Sequence, residues 1–221
     1  MSEKCIYQRM LAKFVWALHK IFLLIGGYQI KQARTKPQLE MVYRVRREAY
    51  VEKGYLSKTT EIQEFRDEFE ELSTTWLLTW RGTGVGTIRV TPLREGKASV
   101  FKYVHDFEKI LGEQQENSVE IGRLAILKGH RGRFLSITLL LAAYKWSLEK
   151  GYTQIVWGGG RWLYYWLQEI VPGVEIKKIM LKREAYEEME GYFQQNVQAF
   201  VYIIPICNVK VLEGVKRLFR R

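Results

Sequence analysis

The sequence predicts an α/β (α+β) fold, a mixed central sheet flanked by helices. Three observations carry this reading. Strand-like and helix-like runs both occur and do not alternate strictly, which excludes a regular parallel α/β repeat. Residues 73–80 and 85–90 are apolar, β-rich runs separated by Arg81-Gly82-Thr83-Gly84, the pattern of a hairpin. Residues 118–127 form a further strand-like run, followed by the basic turn 128–133 and a strongly helical stretch, 134–150.

The other elements follow from local signals. Thr35-Lys36-Pro37 is a helix start, with Thr35 as N-cap and Pro37 in the first turn, and this helix runs to Gly54. Leu39, Val42, Tyr43, Arg46 and Tyr50 recur along it at helical spacing. Residues 57–71 are polar. A helix is predicted over 99–111. Gly151 ends helix 134–150 as a C′ residue. Residues 153–157 read as a buried strand, 161–171 as an aromatic-rich helix, and 174–181 and 200–206 as strands. Residues 191–198 read as loop and 211–219 as a basic closing helix. There is no internal repeat. The organisation is an N-terminal amphipathic helical extension over 1–34 and one domain over 35–221.

A chain of 221 residues with 47% apolar and 27% charged residues is globular, not disordered. Its net charge of +11 attracts anions without choosing among nucleic acid, anionic lipid, phosphorylated groups and acidic proteins. The basic residues are dispersed and build no recognised nucleic-acid motif, so nucleic acid is not the favoured partner. Cys5 and Cys207 make no disulfide framework, which fits a reducing, cytoplasmic compartment. The scattered His19, His105 and His130 offer no metal-ligand spacing, so no metal site is predicted.

Met10, Phe14, Leu18, Ile21 and Ile25 form one apolar stripe of a helix, with Lys13 and Lys20 off it. Lysines interrupt the run and weaken it as a membrane span. Two readings compete: packing on the domain core, or an interfacial helix at an anionic membrane surface.

The chemistry lies in the strand–turn–helix unit. A helix N-terminus after a Gly-bearing turn presents backbone N–H groups to an anion. His130, Arg131 and Arg133 add side-chain donors around Gly132. The turn is neither a Walker loop nor a dinucleotide fingerprint, because both glycine patterns are missing. A phosphate or pyrophosphate site and a solvated basic turn are the two readings of the residues alone.

Leu124 to Ser136, followed by an apolar helix, resembles motif A of the GNAT acyltransferases, written Arg/Gln-x-x-Gly-x-Gly/Ala after the fourth strand. Arg131 takes the first place, and Phe134 and Ser136 take the two glycine places. A narrower resemblance is to the acyl-homoserine lactone synthases and the related long-chain N-acyl amino acid synthases. Arg46 and Tyr50 match their Arg-x-x-x-aromatic unit, and Asp67-Glu-Phe69-Glu70 matches their acidic element with Glu for the last Asp. Gly86-Thr-Ile-Arg89 matches their Gly-x-x-Arg, and Glu120-Ile-Gly122-Arg123-Leu124 matches their Glu-x-Ser-Arg-Phe with Gly for Ser and Leu for Phe. These matches run in the family's order from Arg46 to about Arg133.

The resemblance implies a GNAT-like, mostly antiparallel sheet and an N-acyltransferase that takes its acyl group from acyl-phosphopantetheine, on acyl carrier protein or coenzyme A. No cofactor would be held permanently. The altered glycine places, with the positive charge, point to acyl carrier protein. The acceptor would be an amino acid, giving an N-acyl amino acid. Acyl-homoserine lactone synthesis and ornithine-lipid acylation are alternatives within the class, and a basic nucleic-acid- or membrane-binding module is the alternative outside it.

Within that reading Glu120 is the general-base candidate, on an otherwise apolar strand. A structural ionic role for Glu120 is the competing reading. Leu124, Ile126, His130, Arg131, Gly132, Arg133 and Phe134 would hold the donor. Arg46, Tyr50, Arg89, Arg123, Trp157 and Trp162 would line the substrate site. The arginines could equally form a buried ionic network, and the tryptophans could be core. Gly158-Gly159-Gly160 could let the backbone approach a ligand or be a plain loop. Release of an insoluble acyl product suggests peripheral attachment at the inner membrane, where the product partitions, through the N-terminal stripe and the basic tail.

Overall fold

The computed structural model describes residues 23–56, 66–131, 133–160, 175–183 and 199–206, and residues 16, 17, 21, 165 and 185 singly. Apart from residue 165, the predicted helix 161–171 lies outside them, as do the predicted helix 211–219, loop 191–198 and Trp162. The architecture is mixed α/β with a mostly antiparallel sheet. The chain divides into two compact units.

The unit made of Ala12–Thr91 and Ile121–Trp146 holds the order β1-β2-β3-β4. β1 (Tyr28–Gln32) pairs antiparallel with β2 (Thr74–Trp80), which pairs antiparallel with β3 (Thr83–Pro92). The hairpin turn is shorter than the sequence suggested. It consists of Arg81 and Gly82, both at positive φ (47° and 85°), while Trp80 already faces Thr83. Two left-handed residues match the twist of a tight hairpin, so Thr83 and Gly84 are free to join the strand. β1 itself went unseen in the sequence, because its alternating Gln and Lys carry little apolar signal.

Helix α1 (Lys36–Glu52) begins as predicted, with Pro37 in its first turn and the Gln38 side chain accepting from the Thr35 N–H (3.3 Å). It buries Val42, Val45, Arg46 and Ala49. Val45 and Ala49 pack with Ala125 of β4 (Ser118–Ile126). Gly84 lets α1 approach the sheet: a Cβ there would lie 3.2 Å from the Met41 Cβ and 3.3 Å from Val45. On β3, Gly86 does the same for α4 (Arg133–Lys150), at 3.3 Å from Leu139.

The other unit comprises Met1–Leu11, Pro92–Glu120 and Ser147–Arg221. The predicted helix 99–111 is two short helices, α2 (Ser99–Tyr103) and α3 (Phe107–Leu111), broken at Asp106, whose φ is 52°. A left-handed residue cannot continue a right-handed helix. Both helices cover β5 (Gln154–Gly160) and β7 (Ala199–Pro205), through a core of Phe101, Phe107, Leu111, Val156, Val201 and Ile203. The start of β4 neighbours β5, and the order continues β5-β7-β6 with β6 (Glu175–Lys178). The triple glycine 158–160 is part of β5, paired antiparallel with Val201, Phe200 and Ala199, and not a loop.

Candidate active site

The acidic element 67–70 folds as a turn pinned on β3. Ser73 Oγ donates to the Phe69 carbonyl (2.5 Å) and lies 2.8 Å from Thr91 Oγ1. This turn faces α1, β3 and β4 with two carboxylates, and each bridges two guanidinium groups. Glu70 pairs with Arg46 of α1 and with Arg89 of β3 (2.9 Å). Asp67 pairs with Arg89 (2.5 Å) and with Arg123 of β4 (2.8 Å). The result is an alternating chain, Arg46–Glu70–Arg89–Asp67–Arg123. Each of the three arginines comes from a different element, so the chain ties α1, β3 and β4 to one turn.

Burial makes these bonds matter. Arg46 is 0% exposed and Arg89 2%. Burial opposes ionisation of Asp67, but Arg89 and Arg123 outweigh it and hold the carboxyl down at about 2. Burial pulls the Arg46 guanidinium below its usual range, and Glu70 acts against that. The Tyr43 hydroxyl is raised, by burial first and then by Glu70, and its ring lies 5.8 Å from the Arg46 guanidinium carbon. Arg123 has φ 54° within β4, a backbone state rare for a residue with a Cβ. Strained positions of this kind collect at functional sites.

In the same unit β4 leads into the basic loop. Residues 128–130 form one 3-10 turn, and α4 follows at Arg133. Arg131 turns back: its Nε donates to the Ile126 carbonyl (3.0 Å), and its two terminal nitrogens donate to both oxygens of Glu52 (3.1 and 2.7 Å). His130 Nδ1 lies 3.0 Å from the Tyr28 hydroxyl, and its ring sits 5.2 Å from that of Trp80. Lys128 and Phe134 are exposed, Ile126 is buried and Leu124 is half-buried. Tyr50 packs on the Val45–Ala49–Ala125 cluster. Glu52, Tyr28 and Trp80 were not singled out in the sequence. Glu52 carries no local signal, being one of several glutamates on a polar helix face.

Two predicted site residues belong to the other unit. The Glu120 carboxylate accepts from the Ser99 N–H (3.0 Å) and the Ser99 hydroxyl, so it receives the first turn of α2. Trp157 is buried in β5 opposite Tyr202 of β7. Beside it, a Cβ on Gly158 would meet nothing within 4 Å.

The N-acyl amino acid synthase FeeM family matches the chain over residues 41–157, more than half its length. The chain belongs to that family. No curated protein sequence matches it. Among solved structures, the N-acyl amino acid synthase FeeM from uncultured soil microbes superposes with a TM-score of 0.66 at 14% identity, covering 86% of this chain and 97% of that one. The acyl-homoserine lactone synthase LasI gives a TM-score of 0.56 at 15% identity, covering 85% of this chain and 92% of LasI. The coenzyme-A-dependent acyl-homoserine lactone synthase BjaI, solved with MTA, gives 0.60 at 16%, covering 86% and 88%. At such identities these likenesses speak for the fold, which is GNAT-like. This member of the FeeM family is an acyltransferase. The matched span contains the whole chain Arg46–Glu70–Arg89–Asp67–Arg123, the loop 128–134, Glu120 and Trp157. Trp162 lies beyond it.

Proposed function

We propose that the protein transfers a long-chain acyl group from acyl carrier protein to the amine of an amino acid, giving an N-acyl amino acid. The observation that carries this reading is the chain of three guanidinium and two carboxylate groups, buried at Arg46 and Arg89 and half-buried at Asp67 and Arg123, within a span that matches N-acyl amino acid synthases. Ordering three arginines this way costs desolvation that a purely apolar core would avoid. A role in holding the acceptor's carboxylate gives that arrangement a purpose, with Arg46, Arg89 and Arg123 as the cations and Tyr50 as a further substrate contact from α1.

The reaction needs an uncharged amine, a polarised thioester carbonyl and a leaving thiol. The amine nitrogen attacks the carbonyl carbon, a C–N bond forms, and the C–S bond breaks. The amine gives up a proton and the departing sulfur gains one. Glu120 is the proton acceptor in this reading, directly or through water. His130, Gly132, Arg133 and the backbone entering α4 receive the phosphate of the pantetheine arm, flanked by Leu124, Ile126 and Phe134. Arg131 shapes that loop through Glu52. Trp157, with Trp162, contributes apolar surface for the acyl chain. A basic surface suits an acidic carrier protein. The enzyme would work on the cytoplasmic face of the inner membrane, where its product partitions.

Mass spectrometry of lipid extracts from a heterologous strain expressing the protein tests the reading. N-acyl amino acids in the extract support it. Release of methylthioadenosine from S-adenosylmethionine by the purified protein would mark lactone synthesis instead. A higher kcat/KM with acyl-coenzyme A than with acyl carrier protein would overturn the donor assignment.

A further inference from the structure

Directly before β1 the chain is helical, and it turns apolar side chains outward. Ile21, Leu24 and Ile25 are 56%, 64% and 81% exposed, while Leu23 between them is 2% exposed. The spacing i, i+3, i+4 puts the three on one helix face, with Leu23 anchoring the other. The stripe therefore does not pack into the core at Ile21 or Ile25. Met10, Phe14 and Leu18 lie outside the described residues.

This exposed face is fixed against two other segments. The Trp80 indole donates to the Gly26 carbonyl (3.2 Å), and the Arg81 N–H donates to the Gly27 carbonyl (3.0 Å). The Arg81 guanidinium lies 4.7 Å from the Trp80 ring. Tyr28 and Trp80 both contact His130 of the basic loop. Three stretches thus meet: 21–34, 80–84 and 127–134. Their cations include Lys31, Arg34, Arg81 and Lys128, together with Arg131, which is already paired with Glu52. Lys31, Arg34, Arg81 and Lys128 are exposed.

We infer that this face docks on an anionic lipid surface, with Ile21, Leu24 and Ile25 entering the headgroup–acyl boundary. Trp80 and Tyr28 sit at its edge, and Arg81 and Lys128 reach the phosphates. Exposed aliphatic side chains, interfacial aromatics and exposed cations such as Lys31, Arg34, Arg81 and Lys128 are the composition that binds such surfaces. A bilayer accepts a convex apolar stripe without shape matching, whereas a folded protein partner must present a complementary surface. Lipid is therefore favoured over an acidic protein. This deepens the membrane placement proposed above and rests on it for location only. The docking needs no acyl transfer, and its test contains no acyl donor.

The test is co-flotation of the full chain with phosphatidylcholine vesicles, with and without phosphatidylglycerol, at low and high salt. The wild type should float with phosphatidylglycerol at low salt and be released by high salt. Arg81→Gln should lower the bound-to-free ratio about fivefold, the worth of one basic residue at an anionic surface. Ile21→Gln/Leu24→Gln/Ile25→Gln should abolish flotation while leaving the thermal melt in place, because those side chains already face water. A wild type that stays unbound at low salt overturns the inference, as does a triple variant that floats like the wild type. Binding of an acidic carrier protein through the same three residues, without vesicle binding, would make the face a protein site and also overturn it.

Discussion

Arg131 embraces Glu52 with two parallel hydrogen bonds (3.1 and 2.7 Å) and ties the basic loop to the last turn of α1. Its third bond, to the Ile126 carbonyl (3.0 Å), closes the loop on the strand it leaves. Bidentate pairs fix geometry as well as adding energy. An arginine held on three acceptors is better suited to shaping a phosphate site than to following a ligand in and out of it.

Arg131→Glu should therefore raise KM for the acyl donor by placing two carboxylates face to face. The double exchange Arg131→Glu/Glu52→Arg should restore most of the loss. Steady-state kinetics on the two single variants and the double one check this. If the double exchange is no better than Arg131→Glu alone, Arg131 meets the donor itself.

Asp67 links folding to pH. An unfolded Asp titrates near ~3.9, whereas Asp67 in the folded protein is held at about 2. A depressed folded value means the stabilisation is complete above the unfolded value and is lost as pH falls toward the folded one. Between about pH 5 and pH 1 the chain should lose about 2–3 kcal/mol through this group. Asp67→Asn should flatten that part of the curve and lower stability at neutral pH, because Arg123 would lose its carboxylate partner and Arg89 would keep only Glu70. Urea melts across the range would show it. An unchanged acid slope in Asp67→Asn would mean the pairing is weak.

Thr87 presents the opposite case. It is fully buried on β3, and its hydroxyl has no hydrogen-bond partner among the described residues. Removing an unsatisfied buried hydroxyl while keeping its shape is neutral or favourable. Thr87→Val should hold or raise stability, by up to about 1 kcal/mol. A loss of more than that would reveal a bond made by the hydroxyl in solution.

The legibility of this chain divides by the range of the interaction. Local signals were readable: Thr35 and Pro37 start α1, β-rich runs mark β2 and β3, and Gly151 follows α4. The order Arg46, Asp67, Glu70, Arg89, Arg123 was visible as spaced matches, and the network alternative for the arginines is the arrangement found. What stayed hidden depends on distant partners. β1 exists because β2 offers it an edge, not because Tyr28–Gln32 is apolar. The break at Asp106 lies where the chain turns and the His105 N–H donates to the Met180 carbonyl (3.0 Å), far along the sequence. Glu52 and Arg131 are 79 residues apart.

Glu120 carries the sharpest prediction, because two roles compete for one carboxylate. It receives the N–H and hydroxyl of Ser99 at the start of α2, which is a structural task. The proposed chemistry asks it to accept a proton as the amine attacks. Glu120→Gln retains an acceptor oxygen for Ser99 and removes the ability to take the proton. If Glu120 is the base, kcat should fall by ~10²-fold or more while the thermal melt stays near the wild type. Ser99→Ala separates the tasks: it removes one bond to the carboxylate and leaves the base, so it should cost stability on the order of 1 kcal/mol and spare most of kcat. Unfolding in Glu120→Gln, or normal kcat in a folded Glu120→Gln, would each assign Glu120 to holding α2, and the proton would then pass to water.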